Sequence, residues 1–232
     1  MENTISGTEV TPIPQQRGEA VPPSSRVASR PAPAPSSARE AAARYAEDLR
    51  WQVVPGVSLE TTAGVVRCSC GDASCPLPGA HPEDPDWAGR ATSSGAVVRR
   101  LWGARPDAAV LLPTGRSFDV LEVSETAGFL ALARLERLGP PEGAGPVLLA
   151  PDGRMRFLVL PGAVALVARE VRASGRPPGR LDLVAVGDGG WITAPPTRHG
   201  SRGPAQWVRA PFSHALPEAA ALLPALTYAS TR

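Results

Sequence analysis

Proline and glycine interrupt almost every apolar run in this chain, which limits it to short helices and short strands. The 232 residues include 27 Pro and 23 Gly. Proline lacks the N–H that a helix interior or a strand ladder needs, and glycine favours turns. The run 51–54 meets Pro55, and the segment carrying Val97, Val98, Leu101 and Trp102 cannot pass Pro106. Residues 109–112 stop at Pro113 and Gly115, and 129–138 close on Gly139 and Pro140. Between these stops, residues 51–54, 109–112, 118–123, 147–149, 157–160, 181–186 and 191–193 read as strands. Ser93 or Ser94 heads one helix, 129–138 forms another, and Pro217 suits the first turn of a last helix through Leu223. Residues 163–171 fit either a helix or a strand. Interleaved helices and strands predict an α/β (α+β) fold, with a mixed central sheet and flanking helices.

Residues 1–36 lack hydrophobic periodicity and are dominated by Pro, Ser, Ala, Thr and Arg, so they read as a disordered tail. Order is expected from Ser37, which has capping-box spacing to Glu40. Ala42, Tyr45, Ala46 and Leu49 then share one helical face. The expected division is a domain over 37–212 with a cysteine loop at 67–82, then a C-terminal helix and tail over 213–232. An apolar content of 43% permits a core, and 5% aromatics makes that core mainly aliphatic. The net charge of +2 does not by itself point to nucleic acid, although a local basic groove is compatible with it. Every basic side chain other than histidine is Arg, the residue that grips phosphate with two parallel N–H groups. No export signal and no run near the ~18 apolar residues of a membrane span is present, so a cytoplasmic protein with no membrane partner is expected.

Cys68, Cys70, Cys75 and His81 form C-x-C-x4-C-x5-H among Gly71, Pro76, Pro78, Gly79 and Pro82. Three clustered thiols in such a chain argue against a disulfide framework. Three thiolates and an imidazole suit tetrahedral Zn2+, and four protein ligands leave no open position, so the expected role is structural. The plain alternative is three reduced thiols and an incidental His in a loop.

Several stretches, in order, resemble the bifunctional DNA primase/polymerase N-terminal domain. They are Ala41-Ala42-Ala43-Arg44-Tyr45-Ala46 leading to residues 51–55, the cysteine loop ending Pro78-Gly79-Ala80-His81-Pro82, and Arg90-Ala91-Thr92-Ser93 before Leu101-Trp102. Then come Arg105-Pro106-Asp107-Ala108-Ala109-Val110, Leu112-Pro113-Thr114-Gly115, and Gly187 to Thr197 with its Gly-Gly-aromatic strand and Pro-Pro turn. The resemblance spans about residues 41–210. It implies primer synthesis and DNA extension by a two-metal mechanism using Mg2+ or Mn2+.

That chemistry needs acids at i and i+2 of a strand, because alternate residues share a face. In Phe118-Asp119-Val120-Leu121-Glu122-Val123-Ser124, Glu122 matches the family's first acid and Ser124 stands at the second. Asp119 belongs to the opposite face, and Glu125 reaches back only past a bulge. In Gly153-Arg154-Met155-Arg156, Met155 stands where the family has a His, while Arg154 and Arg156 remain as candidate phosphate or nucleic-acid contacts. Asp182 matches a later acid, followed by Val184 in place of an Arg. Glu122 and Asp182 are thus the remaining catalytic candidates. The expectation is a primase/polymerase-family domain that binds DNA or nucleotide with catalysis weakened or lost. Alternatives are an active enzyme with a rearranged two-metal site, needing Mg2+ or Mn2+, and a non-catalytic structural module. Any helicase partner would be a separate protein. His199 reads as a surface residue. Arg198, Arg202 and Arg209 with Trp207 form a basic stretch that reads first as a solvated loop and second as a single-strand contact.

Overall fold

The computed structural model describes residues 37–139, 141–173, 175 and 181–231; the expected tail at 1–36 lies outside the described residues. Helix α1 (Ala38–Glu47) starts as its capping pattern predicts: the Ser37 Oγ accepts from the Glu40 amide at 3.2 Å. It buries Ala41, Ala42, Tyr45 and Ala46. β1 (Val54–Pro55) is shorter than the expected strand, because Val53 makes only an isolated bridge to Thr92. A hairpin follows that hydropathy alone did not reveal, β2 (Leu59–Thr62) and β3 (Val65–Cys68). Its residues are mostly exposed, so no apolar stripe marks it.

After α2 (Gly95–Ala104) come β4 (Val110–Pro113), β5 (Asp119–Ser124) and α3 (Glu125–Leu138). Then follow β6 (Val147–Leu149), β7 (Arg154–Val159) and α4 (Ala163–Ala173), which resolves the ambiguous segment as helix. The chain ends with β8 (Val184–Val186), β9 (Trp191–Thr193), β10 (Gln206–Arg209) and α5 (Ala219–Ala229). α5 begins beyond Pro217 and continues past the expected stop at Leu223, with Pro224 inside it. Burial of Leu222, Leu223, Ala225, Leu226 and Ala229 offsets the backbone hydrogen bond that Pro224 cannot make.

The described residues form an α/β domain, with five α-helices flanking its sheets. The strands fall into a three-stranded sheet, β1-β4-β9, a five-stranded sheet, β10-β6-β7-β5-β8, and the hairpin. The ladders between described strands are antiparallel, on the α+β side of the expected class. Two cores flank β5. On one face Val120 and Leu158 join α1, α2, Trp51 and Phe118; on the other Leu121, Val123, Met155 and Phe157 pack with α3, α4 and α5. Among the described residues no helix is long and apolar enough to cross a membrane.

Candidate functional site

β5 lies between β7 and β8, with Glu122 opposite Arg156, Ser124 opposite Arg154, and Glu122 also opposite Val184. Directly opposed residues share a face. Glu122, Ser124, Arg154 and Arg156 therefore emerge together, where the core of Val120 and Leu158 gives way to polar side chains. Asp182, two residues before β8, joins them: its Oδ2 accepts from the Ser124 amide at 2.9 Å. The four sequence candidates Glu122, Asp182, Arg154 and Arg156 are thus brought into one cluster, with Asp152 added by the turn before β7.

Met155 is not part of that cluster. It is fully buried on the opposite face, opposite Val123, and a Cβ on Gly128 of α3 would fall 2.5 Å from its Sδ. Met155, which stands where the family resemblance places a His, therefore faces the core and not the acids. The β7 residues facing the acids are Arg154 and Arg156. Asp119 lies on the back face as expected. Its Oδ2 accepts the amides of Gly162 and Ala163 at 2.8 and 2.9 Å, holding the start of α4. Glu125 opens α3 and is exposed.

The cluster is closed on itself. Glu122 Oε1 accepts from Arg154 Nε at 3.0 Å and its Oε2 from Arg156 Nε at 2.8 Å. Arg154 Nη1 donates to Asp182 Oδ1 at 2.6 Å, and Arg156 Nη2 donates to Asp152 Oδ2 at 2.8 Å. Asp152 Oδ1 accepts the Arg154 amide at 3.0 Å. Both oxygens of all three acids thus have protein donors. Partial burial opposes ionisation of Asp182, but hydrogen bonds from Arg154 and Ser124 outweigh it and hold its pKa below the usual carboxylate value. Burial opposes the charge of Arg154, but Asp182 and Glu122 outweigh it and raise its pKa. A two-cation site needs several free carboxylate oxygens. Here the oxygens are engaged and the second β5 position is a hydroxyl, so the arrangement does not fit two divalent ions.

The second group of candidates has the opposite character. The ligand atoms of Cys68, Cys70, Cys75 and His81 all lie within 4.8 Å of one another. The Sγ atoms of Cys68 and Cys75 are 3.5 and 3.4 Å from His81 Nε2. Tetrahedral zinc, with bonds of about 2.3 Å to sulfur and about 2.0 Å to nitrogen, holds such atoms about 3.5 Å apart. His81 Nδ1 lies 2.6 Å from the Pro82 carbonyl, which can only accept, so Nδ1 carries the proton and Nε2 offers its lone pair to the thiols. Burial works against ionisation of Cys68, but the amides of Cys70 and Gly79 and the neighbouring thiols bring its pKa below the ordinary thiol value. Burial pushes the Cys75 thiol up to about 11, and the charge gathering on Cys68 adds to this. The Cys3His cluster could therefore hold a metal such as zinc, whose charge would bring all three sulfurs to thiolate.

The knuckle is joined to the β9–β10 connection. The Gly200 amide donates to the Pro78 carbonyl at 2.8 Å, and a Cβ on Gly79, whose φ is +74°, would meet the Arg198 carbonyl at 2.9 Å. His199 in that loop is buried, not a surface residue: it is 6% exposed, with Nε2 2.6 Å from Thr193 Oγ1. Burial lowers its pKa, helped by Arg156 and Arg202 and opposed by Asp152, so it relates electrostatically to the acid–arginine cluster. Sequence reading missed this because a lone His after a Pro-Pro turn carries no periodic signal. Trp207 is also committed to the core. Its Nε1 donates to Tyr45 Oη at 2.8 Å, and its ring lies 6.5 Å from that of Trp51. Arg209 pairs with Glu136. Trp207 is thus partly buried, its ring packed against Tyr45 and Trp51.

Searches found no matching curated protein and no matching solved structure. The family model for the bifunctional DNA primase/polymerase N-terminal domain matches residues 42–225, from the second turn of α1 into α5. That match spans both sheets and the knuckle, and the chain belongs to the bifunctional DNA primase/polymerase N-terminal family.

Proposed function

We propose that this domain retains the nucleic-acid- or nucleotide-binding side of its family's primase/polymerase role while its nucleotidyl transfer is weakened or lost. The observation behind this reading is the front face of β5, which presents one carboxylate, Glu122, and one hydroxyl, Ser124. A hydroxyl is a poor ligand for a hard divalent ion. Loss of such a ligand removes several kcal/mol of charge stabilisation from phosphoryl transfer. Arg154 and Arg156 are proposed to meet phosphate only in competition with Glu122, Asp152 and Asp182, which makes that contact weak and salt-sensitive. The Cys3His cluster is proposed to hold structural zinc.

The test is primer synthesis and extension by the zinc-loaded protein with Mn2+, beside Glu122→Ala, together with retardation of single-stranded and primed DNA at low salt. The expected result is retardation without extension above background. Extension abolished by Glu122→Ala would establish an active, rearranged site instead. Absence of any retardation would leave a structural or interaction module.

A further inference from the structure

The acid–arginine cluster is too well matched to be only the remnant of a metal site. Arg154 bridges two strands. Its Nε and Nη2 bind the Glu122 carboxylate and carbonyl on β5, at 3.0 and 3.4 Å, and its Nη1 binds Asp182 ahead of β8 at 2.6 Å. Asp182 is held from its other oxygen by the Ser124 amide. The guanidinium therefore stands between the two acids that the family resemblance singled out. The ladder explains how: the position opposite Ser124 is Arg154, and the position opposite Glu122 is Arg156. Two guanidiniums face three carboxylates, so phosphate reaches Arg154 and Arg156 only by displacing an acid, and a further cation finds each carboxylate oxygen already facing a donor.

We infer that the Arg154 guanidinium acts as a built-in counter-ion in place of a divalent cation between Glu122 and Asp182, and that it masks a latent cation site. This goes beyond the loss of the second acid at Ser124. Were Arg154 uncharged, Glu122 and Asp182 would keep their strand positions but lose their shared partner. Glu122 would keep Arg156 and Asp182 the Ser124 amide on one oxygen each, leaving on each acid one oxygen without a donor, and two such oxygens side by side favour a hard divalent ion.

The experiment is Mn2+ titration of the zinc-loaded protein followed by the EPR signal of free Mn2+, with thermal unfolding in parallel. Four proteins are compared: wild type, Arg154→Met, Asp182→Asn and the double variant. Arg154→Met is expected to bind Mn2+ at least about tenfold more tightly than wild type, and to recover on binding part of the melting temperature it lost. The gain is expected to vanish in the double variant, which should also fold more stably than Arg154→Met because one carboxylate short of a donor is gone. Micromolar Mn2+ binding by the wild type that Asp182→Asn abolishes would overturn the inference, as would an Arg154→Met protein that folds and gains nothing. If Arg154→Met does not fold, the double variant still decides: a double variant no more stable than Arg154→Met overturns the proposed pairing. Failure here leaves the functional reading standing, since that reading is judged by primer extension and DNA retardation.

Discussion

The knuckle and the acid–arginine cluster are both sets of metal-capable side chains, and they differ in what neutralises them. In the knuckle, three sulfurs and one imidazole nitrogen converge within 4.8 Å, and the groups that act on Cys68 and Cys75 are backbone amides and the neighbouring thiols. A bound cation would hold these sulfurs together as thiolates. In the cluster, the counter-charge is covalently part of the chain, as Arg154 and Arg156. A group of ligands is a metal site only to the degree that the protein has withheld its own cations from it. Spacing in sequence reports the ligands but not the competitors.

The sharpest break of this contrast is metal removal. Zinc binding is expected at one ion per chain. Cys68→Ser, which exchanges a buried thiolate ligand for a hydroxyl, is expected to abolish it and to lower the unfolding temperature more than any other change considered. Structural zinc sites carry on the order of 10 kcal/mol of binding free energy, part of which is folding free energy. Hydrogen exchange should show the loss first in β2–β3 and in residues 198–203, which the Gly200–Pro78 hydrogen bond ties to the knuckle. If chelation leaves those amides protected, the knuckle is not what holds them.

Within the cluster, Arg156→Met is expected to cost about 1 kcal/mol in urea unfolding, because it takes one charged donor from the half-buried Glu122, which keeps Arg154, and the ion-pair partner from the exposed Asp152. A cost under about 0.5 kcal/mol would place the pair among exposed, screened contacts. Restoring the missing acid by Ser124→Asp is expected to give no primer extension, because the new carboxylate still faces Arg154. Extension by that variant would mean that the second acid alone was lacking.

The smallest effect concerns His199, which lies between the two regions. Its pKa is lowered on folding from about 6.5, so its contribution is complete above that pH. It is lost as pH falls from there toward the folded value, because the unfolded chain then binds the extra proton. Asp152, Arg156 and Arg202 are the charges acting on it. Between pH 7.5 and 5.5 the wild type should lose more stability than His199→Gln, the zinc-dependent part being common to both. Equal pH slopes would remove His199 from the account.

The sequence exposed those parts of the molecule whose causes are local. Ser37 and Glu40 marked the start of α1, and Pro and Gly stops set most strand limits. The C-x-C-x4-C-x5-H spacing placed four ligands that the fold does bring together. Non-local causes were hidden. Nothing in the β2–β3 hairpin distinguishes it from a loop, because its side chains are largely exposed and only the backbone ladder makes it a strand pair. The pairing of Arg154 with Asp182 spans a helix and a turn, so no window of sequence contains it. Met155 shows the finest limit: a motif position names the residue, and only the strand ladder tells which face of the sheet it takes.

β5 has hydrogen-bonded neighbours on both edges and packed apolar side chains on both faces, Val120 toward α1 and α2, Leu121 and Val123 toward α3 and α5. Such a strand has no free direction in which to slide or tilt. Chemistry at its exposed end can therefore diverge by exchanging one side chain for another, while the backbone that aims those side chains stays put, ready for whatever replaces them.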